Sequence, residues 1–95
     1  MQLSEIEHSA LCWAAHEYAT IHSIKDNVSI DLGRKVTEAE LGKALVALRS
    51  KGLVKSYVYD GEKKRYVKAE PEADELLSCW WLTSKKGNKV ASGEL

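Results

Sequence analysis

The sequence of 95 residues has the length of one small domain around a single hydrophobic core, so we expect residues 1–95 to form one domain. Hydrophobic residues make up 44% and charged residues 29% of the chain, which excludes a disordered or fibrous protein. The formal net charge is zero, but ten basic and four acidic residues between Arg34 and Lys68 give this central block a charge of +6. Acidic blocks of −4 and −2 flank it, so the overall neutrality hides a basic central region.

The sequence predicts a cytoplasmic protein that does not bind membranes. It has no apolar run of about 18 residues, and it does not begin with a secretory signal. Its two cysteines, Cys12 and Cys79, both lie in apolar, aromatic surroundings, which indicates buried, reduced thiols in a reducing compartment. A disulfide between them remains open at this point.

The first predicted helix begins at Ser4, because Ser4 and Glu7 have the spacing of a capping box. Apolar residues then recur with helical spacing, namely Ile6, Ala10, Trp13 and Ala14, with Leu3, Leu11, Tyr18 and Ile21 widening the stripe. The pattern predicts one long helix that ends near His22 or Ser23.

The polar stretch from Lys25 to Ser29 is predicted to be a loop, since it contains the turn formers Asp26 and Asn27. A short second helix capped by Ser29 and containing Gly33 should follow.

The third helix has the clearest signals. Thr37 and Glu40 repeat the capping-box spacing, and Gly52 is suited to the left-handed conformation at a helix end. Between them lies a stripe predicted to be buried: Leu41, Ala44, Leu45 and Leu48.

A β-hairpin is predicted next, because strand-forming residues Tyr57–Tyr59 and Tyr66–Val67 flank Asp60-Gly61 and a charged tip. Pro71, Ala73, Leu76 and Leu77 then suggest a short helix. The Cys79–Leu82 segment should be a buried strand or part of the core, and Thr83 is the expected cap of a final helix through Val90.

The phrase from Leu45 to Val54, Leu-Val-Ala-Leu-Arg-Ser-Lys-Gly-Leu-Val, followed by a basic hairpin, resembles winged helix-turn-helix transcriptional regulators. Trp81-Leu82-Thr83-Ser84-Lys85-Lys86-Gly87 is similar to the Leu-Thr-x-x-Gly phrase of the MarR and PadR groups, with one extra residue before the glycine. The resemblance implies an α+β fold: a three-helix core, a hairpin wing and an additional C-terminal element. About twenty residues separate the hairpin turn from the Leu-Thr phrase, so we expect an elaborated wing or an extra helix.

The resemblance also implies a DNA-binding regulator whose recognition helix spans residues 37–50 and whose basic wing spans residues 55–67. Related regulators bind paired half-sites of duplex DNA as homodimers, and we expect the same assembly here. The candidate DNA-binding residues are Arg34, Lys35, Thr37, Glu38, Lys43, Lys55, Lys63, Lys64 and Arg65.

The outward face of the third helix leaves a second interpretation open. With the leucines inward, the exposed positions should be Ala39, Gly42, Lys43, Val46 and Ser50, with Glu38 and Glu40 near the start. These residues are mostly small or acidic, whereas base-reading helices more often present Arg, Asn or Gln. The alternative is a winged-helix module that binds another protein through this face.

The sequence gives no support for an enzyme or a cofactor, because it contains no phosphate-binding loop, nucleophile elbow or metalloprotease motif. His8, Cys12 and His16 share one helical face with a spacing that metal sites use. A single straight helix rarely supplies three ligands to one ion, so we predict no metal site and interpret these residues as core or surface positions. Trp13, Trp80 and Trp81 are expected to belong mainly to the core, although a ligand pocket or dimer interface is also open to them.

Overall fold

The computed structural model describes residues 3–15, 17–69 and 79–92. These residues form, in chain order, α1 (Glu5–Trp13), α2 (Ile21–Leu32), α3 (Glu38–Ser50), β1 (Val54–Asp60), β2 (Arg65–Lys68), β3 (Trp80–Thr83) and α4 (Lys85–Ala91). The first three helices pack against one another, and the strands form an antiparallel sheet beside them. The fold is therefore the α+β winged helix that the sequence predicts. The helix predicted over residues 71–77 lies outside the described residues.

The start of α1 is as predicted, but its end is not. Ser4 Oγ accepts a hydrogen bond from the Glu7 amide (3.1 Å), and the Glu7 carboxylate accepts one from the Ser4 amide (3.1 Å). The helix then ends at Trp13, well before the predicted end near residue 22 or 23. The prediction of one long first helix is therefore wrong.

A pairing with the distant strand β3 fixes the segment between α1 and α2. The amide of Ala19 donates to the carbonyl of Trp81 (3.0 Å), and the amide of Trp81 donates to the carbonyl of Ala19 (2.7 Å). Backbone that is paired in this extended form cannot continue a helix. The helical spacing of Tyr18 and Ile21 gave no sign of this partner, because it lies more than sixty residues away in the sequence.

The second helix is longer than predicted and begins earlier. Thr20 is its N-cap, with a side chain that accepts a hydrogen bond from a first-turn amide, and α2 continues through the stretch predicted to be a loop. It ends at Gly33, whose φ of 65° lies in the left-handed region that glycine tolerates. Ser29 is not a cap: its hydroxyl accepts the Val36 amide (3.0 Å) and holds the turn into α3.

The third helix agrees closely with its prediction. Thr37 Oγ1 accepts the Glu40 amide (3.1 Å), the Glu40 carboxylate accepts the Thr37 amide (3.3 Å), and Gly52 has a φ of 75° just beyond the end. The predicted inward stripe is buried: Leu41, Ala44, Leu45 and Leu48. Gly42 is buried as well, although it was predicted to face outward, because α3 packs against both α1 and α2 and so buries a wider face.

The sheet has the order β2-β1-β3, with β1 in the centre. The predicted hairpin is confirmed, since β1 and β2 pair from Asp60–Arg65 at the turn to Tyr57–Lys68. On its other side Tyr57 pairs with Trp80 of β3. The strand β3, which carries the start of the Leu-Thr phrase, thus returns to the hairpin and elaborates the wing into a three-stranded sheet.

The junction of β3 and α4 ties the C-terminal element to both α1 and the end of α3. Thr83 Oγ1 donates to the Leu11 carbonyl (2.7 Å), so this hydroxyl is bonded to α1. The prediction that Thr83 caps α4 is therefore wrong. The cap is Ser84, whose Oγ accepts the Gly87 amide (3.1 Å) and donates to the Gly52 carbonyl (2.7 Å). Each hydroxyl of this adjacent pair therefore joins a different helix to the C-terminal element.

The core lies between the helices and the inner face of the sheet. Its largest side chain is Trp81, which is fully buried, as is Cys79 two residues earlier, whereas Trp13 is 43% exposed. Cys12 is half-buried, and no disulfide joins it to Cys79. None of the helices in the described ranges is both long and apolar enough to cross a membrane.

Candidate nucleic-acid interface

The exposed face of α3 consists mainly of small side chains and carries a single strongly charged one. Ala39, Lys43 and Ser50 are exposed at helical spacing, and Val46 between them is half-buried against the core. Thr37 is exposed at the N-cap, directly before the first turn. A helix of this kind can approach a surface closely through its small residues while Lys43 extends from its middle.

The two acidic residues at the start of α3 are both paired. The Glu38 carboxylate lies 3.8 Å from Lys25 Nζ, and the Glu40 carboxylate lies 3.3 Å from the Arg34 guanidinium. The Thr37 amide and then the Arg34 side chain hold the pKa of Glu40 below its usual range. Much of the negative charge that would repel a phosphate at this end of the helix is therefore compensated.

Arg34 and Lys35 lie in the turn that precedes α3, and both are exposed. The Arg34 guanidinium donates to the Lys35 carbonyl (3.3 Å) as well as to Glu40. Arg34 thus stabilises the turn and neutralises an acid, while Lys35 extends the basic surface beside the N-terminus of α3.

The tip of the β1–β2 hairpin brings three basic side chains together. Asp60 Oδ1 accepts the amides of Glu62 (3.0 Å) and Lys63 (3.2 Å), which closes the turn over residues 61–64. Lys64 has a φ of 52°, an uncommon conformation for a residue other than glycine. Lys63, Lys64 and Arg65 are all exposed, and the hydrogen-bonded turn holds them at the end of the wing.

Arg49 anchors the wing to α3. Its Nη1 donates to Ser56 Oγ (3.0 Å), its guanidinium carbon lies 5.6 Å from the centre of the Trp81 ring, and Ser56 Oγ donates in turn to the Ala69 carbonyl. This central arginine is therefore engaged in the fold. Lys55, the neighbour of Ser56, lies on the opposite, exposed side of β1.

The structure brings the predicted site residues into two groups. Arg34, Lys35, Thr37 and Glu38 lie together at the start of α3, with Lys43 one to two turns further along, and Lys63, Lys64 and Arg65 lie together at the hairpin tip. Lys55 stands apart from both at the base of the wing. Sequence reasoning missed Lys25, which the wrong loop prediction hid, and the aromatic outer face of the sheet, which the alternation of Tyr57 and Tyr59 could have indicated.

The row of His8, Cys12 and His16 is only partly covered by the structure, since His16 lies outside the described residues. Cys12 lies in a groove between α1, α2 and α4, where burial and the nearby Asp31 carboxylate raise the pKa of its thiol. A raised pKa favours the neutral thiol over the thiolate that binds metal. In the described ranges, no three His, Cys, Asp or Glu side chains are close enough to share a metal ion.

Comparison with known proteins supports the fold. No protein-family profile matches the sequence, and no curated protein sequence matches it. Among solved structures, the chain is similar to a double mutant of ZitR from Lactococcus lactis, with a TM-score of 0.61 and 19% sequence identity. The similarity covers 99% of this chain and 51% of the ZitR chain, so the chain spans about half the length of that protein. The similarity therefore supports the winged-helix fold of this chain.

Proposed function

We propose that the chain is a DNA-binding transcriptional regulator that places α3 in the major groove and the β1–β2 hairpin against the phosphate backbone. The observation that carries the proposal is the charge arrangement at the start of α3. Both acids there are paired with Lys25 and Arg34, which leaves a small helix face with Lys43 as its exposed charge. A second basic group stands at the hairpin tip, where a wing meets DNA.

The candidate residues take different roles in this proposal. Thr37 and Lys43 probe the groove, while Lys63, Lys64 and Arg65 bind phosphates. Lys35 and Lys55 extend the phosphate contacts, and Arg34 acts mainly by neutralising Glu40 and holding the turn. Glu38 is paired with Lys25 in the same way, so its role is to pair with that lysine beside the interface and not to contact a base.

Regulators of this fold bind two half-sites, and the proposal therefore includes a homodimer that acts in the cytoplasm. Sedimentation velocity at micromolar concentration tests the dimer directly. A monomer at all concentrations would remove the paired half-sites from the proposal.

The alternative is a winged-helix module that binds a protein through α3. The observation in its favour is the small, partly apolar surface of that helix, where Ala39 is exposed and Val46 and Ala47 are half-buried. Such a surface suits close packing against a partner, whereas it offers few hydrogen-bond donors for base edges. A chain of this kind would bind duplex DNA weakly and without sequence preference.

The salt dependence of duplex binding tests the proposal. The variant K63A/K64A/R65A should bind a fluorescein-labelled mixed-sequence duplex more weakly, and the slope of log K against log salt should become shallower by up to about three. Fluorescence anisotropy titrations at several salt concentrations measure both quantities.

The matched control is K85A/K86A/K89A, which removes the same charge from exposed positions on α4. It should leave the salt slope close to that of the wild type. An unchanged slope in the wing variant, or an equal loss in the α4 control, would exclude the hairpin as a specific phosphate contact.

A further inference from the structure

The outer face of the sheet carries a continuous cluster of aromatic rings. All four tyrosines of the chain and one tryptophan belong to it: Tyr18, Tyr57, Tyr59, Tyr66 and Trp80. The strand register explains the arrangement, since Tyr57 is opposite Trp80 and Tyr59 is opposite Tyr66, which places these side chains on one face. The other face of the same strands packs on the core through Ser56 and Trp81.

The rings form a layer that remains accessible. The Tyr18 ring stacks on that of Tyr66 with 3.9 Å between centroids and 16° between planes, so the face already accepts a flat ring from outside the sheet. Tyr59 is 52% exposed, and Tyr57 and Trp80 are half-buried. The cluster thus offers aromatic surface beyond what Tyr18 covers.

The charged side chains that the described strands place on this face are basic. Lys55 and Lys68 are exposed at outer-face positions on either side of Tyr57, opposite Leu82 and Tyr57 in the strand register. Among the described strand residues, no acid occupies an outer-face position. Within the described ranges, the exposed acid nearest in sequence to the cluster is Glu17, which precedes Tyr18.

Rings flanked by lysines fit a ligand that combines flat groups with negative charge. Single-stranded nucleic acid has this chemistry, because its bases stack on aromatic side chains while its phosphates pair with lysines. A second copy of the chain fits less well, since a two-fold contact through this face would bring lysines towards lysines, and lysine is depleted at protein interfaces.

We propose that the outer face of the sheet, through Tyr59, Trp80, Lys55 and Lys68, binds single-stranded DNA. This site is distinct from α3 and from the hairpin tip, which are assigned to duplex DNA, and it shares only Lys55 with the proposed duplex contacts. Only the choice of DNA over RNA rests on the proposed function.

Binding of a labelled dT12 oligonucleotide tests the site by fluorescence anisotropy. Replacing Tyr59 by Ala should weaken binding about fivefold or more, whereas Y59F, which keeps the ring, should bind like the wild type. The variant V58A is the matched control, because Val58 is the neighbouring residue, is 40% exposed and lies on the opposite face of β1. Circular dichroism checks that each variant is folded.

Two further comparisons separate stacking from charge. A 12-mer of abasic deoxyribose phosphate should bind more weakly than dT12, since it lacks the rings that stack. The variant K55A/K68A should make the salt slope for dT12 shallower by about 1.4, the value for two phosphate contacts with a single strand. The α4 variant K85A/K86A should keep the wild-type slope.

The results separate this site from the duplex site. Retained dT12 binding in the K63A/K64A/R65A variant supports an independent face, and a protein that binds dT12 but no duplex would refute only the proposed function. No dT12 binding, or equal losses in Y59A and V58A, would overturn the single-strand site. Tighter binding of rU12 than of dT12 would show that the assignment to DNA is wrong.

Discussion

Replacing Gly87 by Ala should destabilise the protein, although alanine is normally the better helix former. Gly87 lies in the first turn of α4, where its backbone is packed against the segment that follows α3. A Cβ at this position would lie 2.0 Å from the Leu53 carbonyl oxygen and 2.6 Å from Thr83 Cγ2. Ordinary contact begins at 3.4 Å, so α4 would have to move by more than an ångström.

The cost follows from what that movement breaks. Ser84 donates to the Gly52 carbonyl through its hydroxyl (2.7 Å) and to the Leu53 carbonyl through its amide (2.9 Å), and both bonds lie at the point of contact. Losing them costs about 1 kcal/mol each, and overpacking costs about 1–3 kcal/mol. The gain in helix propensity offsets about 1 kcal/mol. We therefore expect the free energy of unfolding to fall by about 2–4 kcal/mol.

Urea unfolding followed by tryptophan fluorescence measures this change. The control is G61A, because a Cβ at Gly61 in the hairpin turn meets no atom within 4 Å. G61A should stay within about 0.5 kcal/mol of the wild type. A G87A variant as stable as G61A would refute the close packing of α4 on Leu53.

Two further predictions concern polar contacts within the fold. The variant S56A should lose about 1–3 kcal/mol of stability in urea unfolding, because it removes the buried hydroxyl between the Arg49 guanidinium and the Ala69 carbonyl just after β2. The control is S92A, in the exposed C-cap of α4, whose stability should change little. The second prediction is that acid destabilises the wild type more than D31N, because hydrogen bonds from Ser9 and then Trp13 hold the pKa of Asp31 below 3.8. The stability from this lowered pKa is present above pH 3.8 and is lost as the pH falls through the folded-state value. The urea midpoints of the wild type and D31N should therefore converge in acid. A midpoint difference that stays constant down to about pH 2 would contradict the role given to Asp31.

The two capping boxes and the glycine signal at the end of α3 were reliable because they are local. The structure contains both predicted capping boxes, Ser4–Glu7 and Thr37–Glu40, and the left-handed Gly52. Each of these features involves only residues at one end of one helix. The hairpin prediction also succeeded, since its signals lie within one short segment. Local hydrogen bonding decides such features, so the sequence alone can indicate them.

Three of the errors arose where distant residues decide the structure. The end of α1 depends on the pairing of Ala19 with Trp81, and the burial of Gly42 depends on two helices that pack on α3. Thr83 was predicted as a cap because it has the correct chemistry, but its hydroxyl is bonded to Leu11 instead. In each case tertiary contacts overrode a reasonable local pattern.

For the candidate site, the sequence could indicate which basic residues are exposed but not how the acids beside them are paired. The sequence identified the basic hairpin and the exposed Lys43, whereas Glu38 and Glu40 argued against phosphate binding. Their pairing with Lys25 and Arg34 became visible only in the structure, because α2 had to be in place before Lys25 could reach α3.

The contact between α1 and β3 has a consequence for the order in which the chain folds. Thr83 bonds to the Leu11 carbonyl through its hydroxyl and to the Ala14 carbonyl through its amide, across about seventy residues of sequence. During synthesis, the first three helices and the hairpin emerge before the strand that carries Trp81, so their shared core stays incomplete until that strand arrives. Contacts this distant in sequence slow folding, and they make closure of the core a late step.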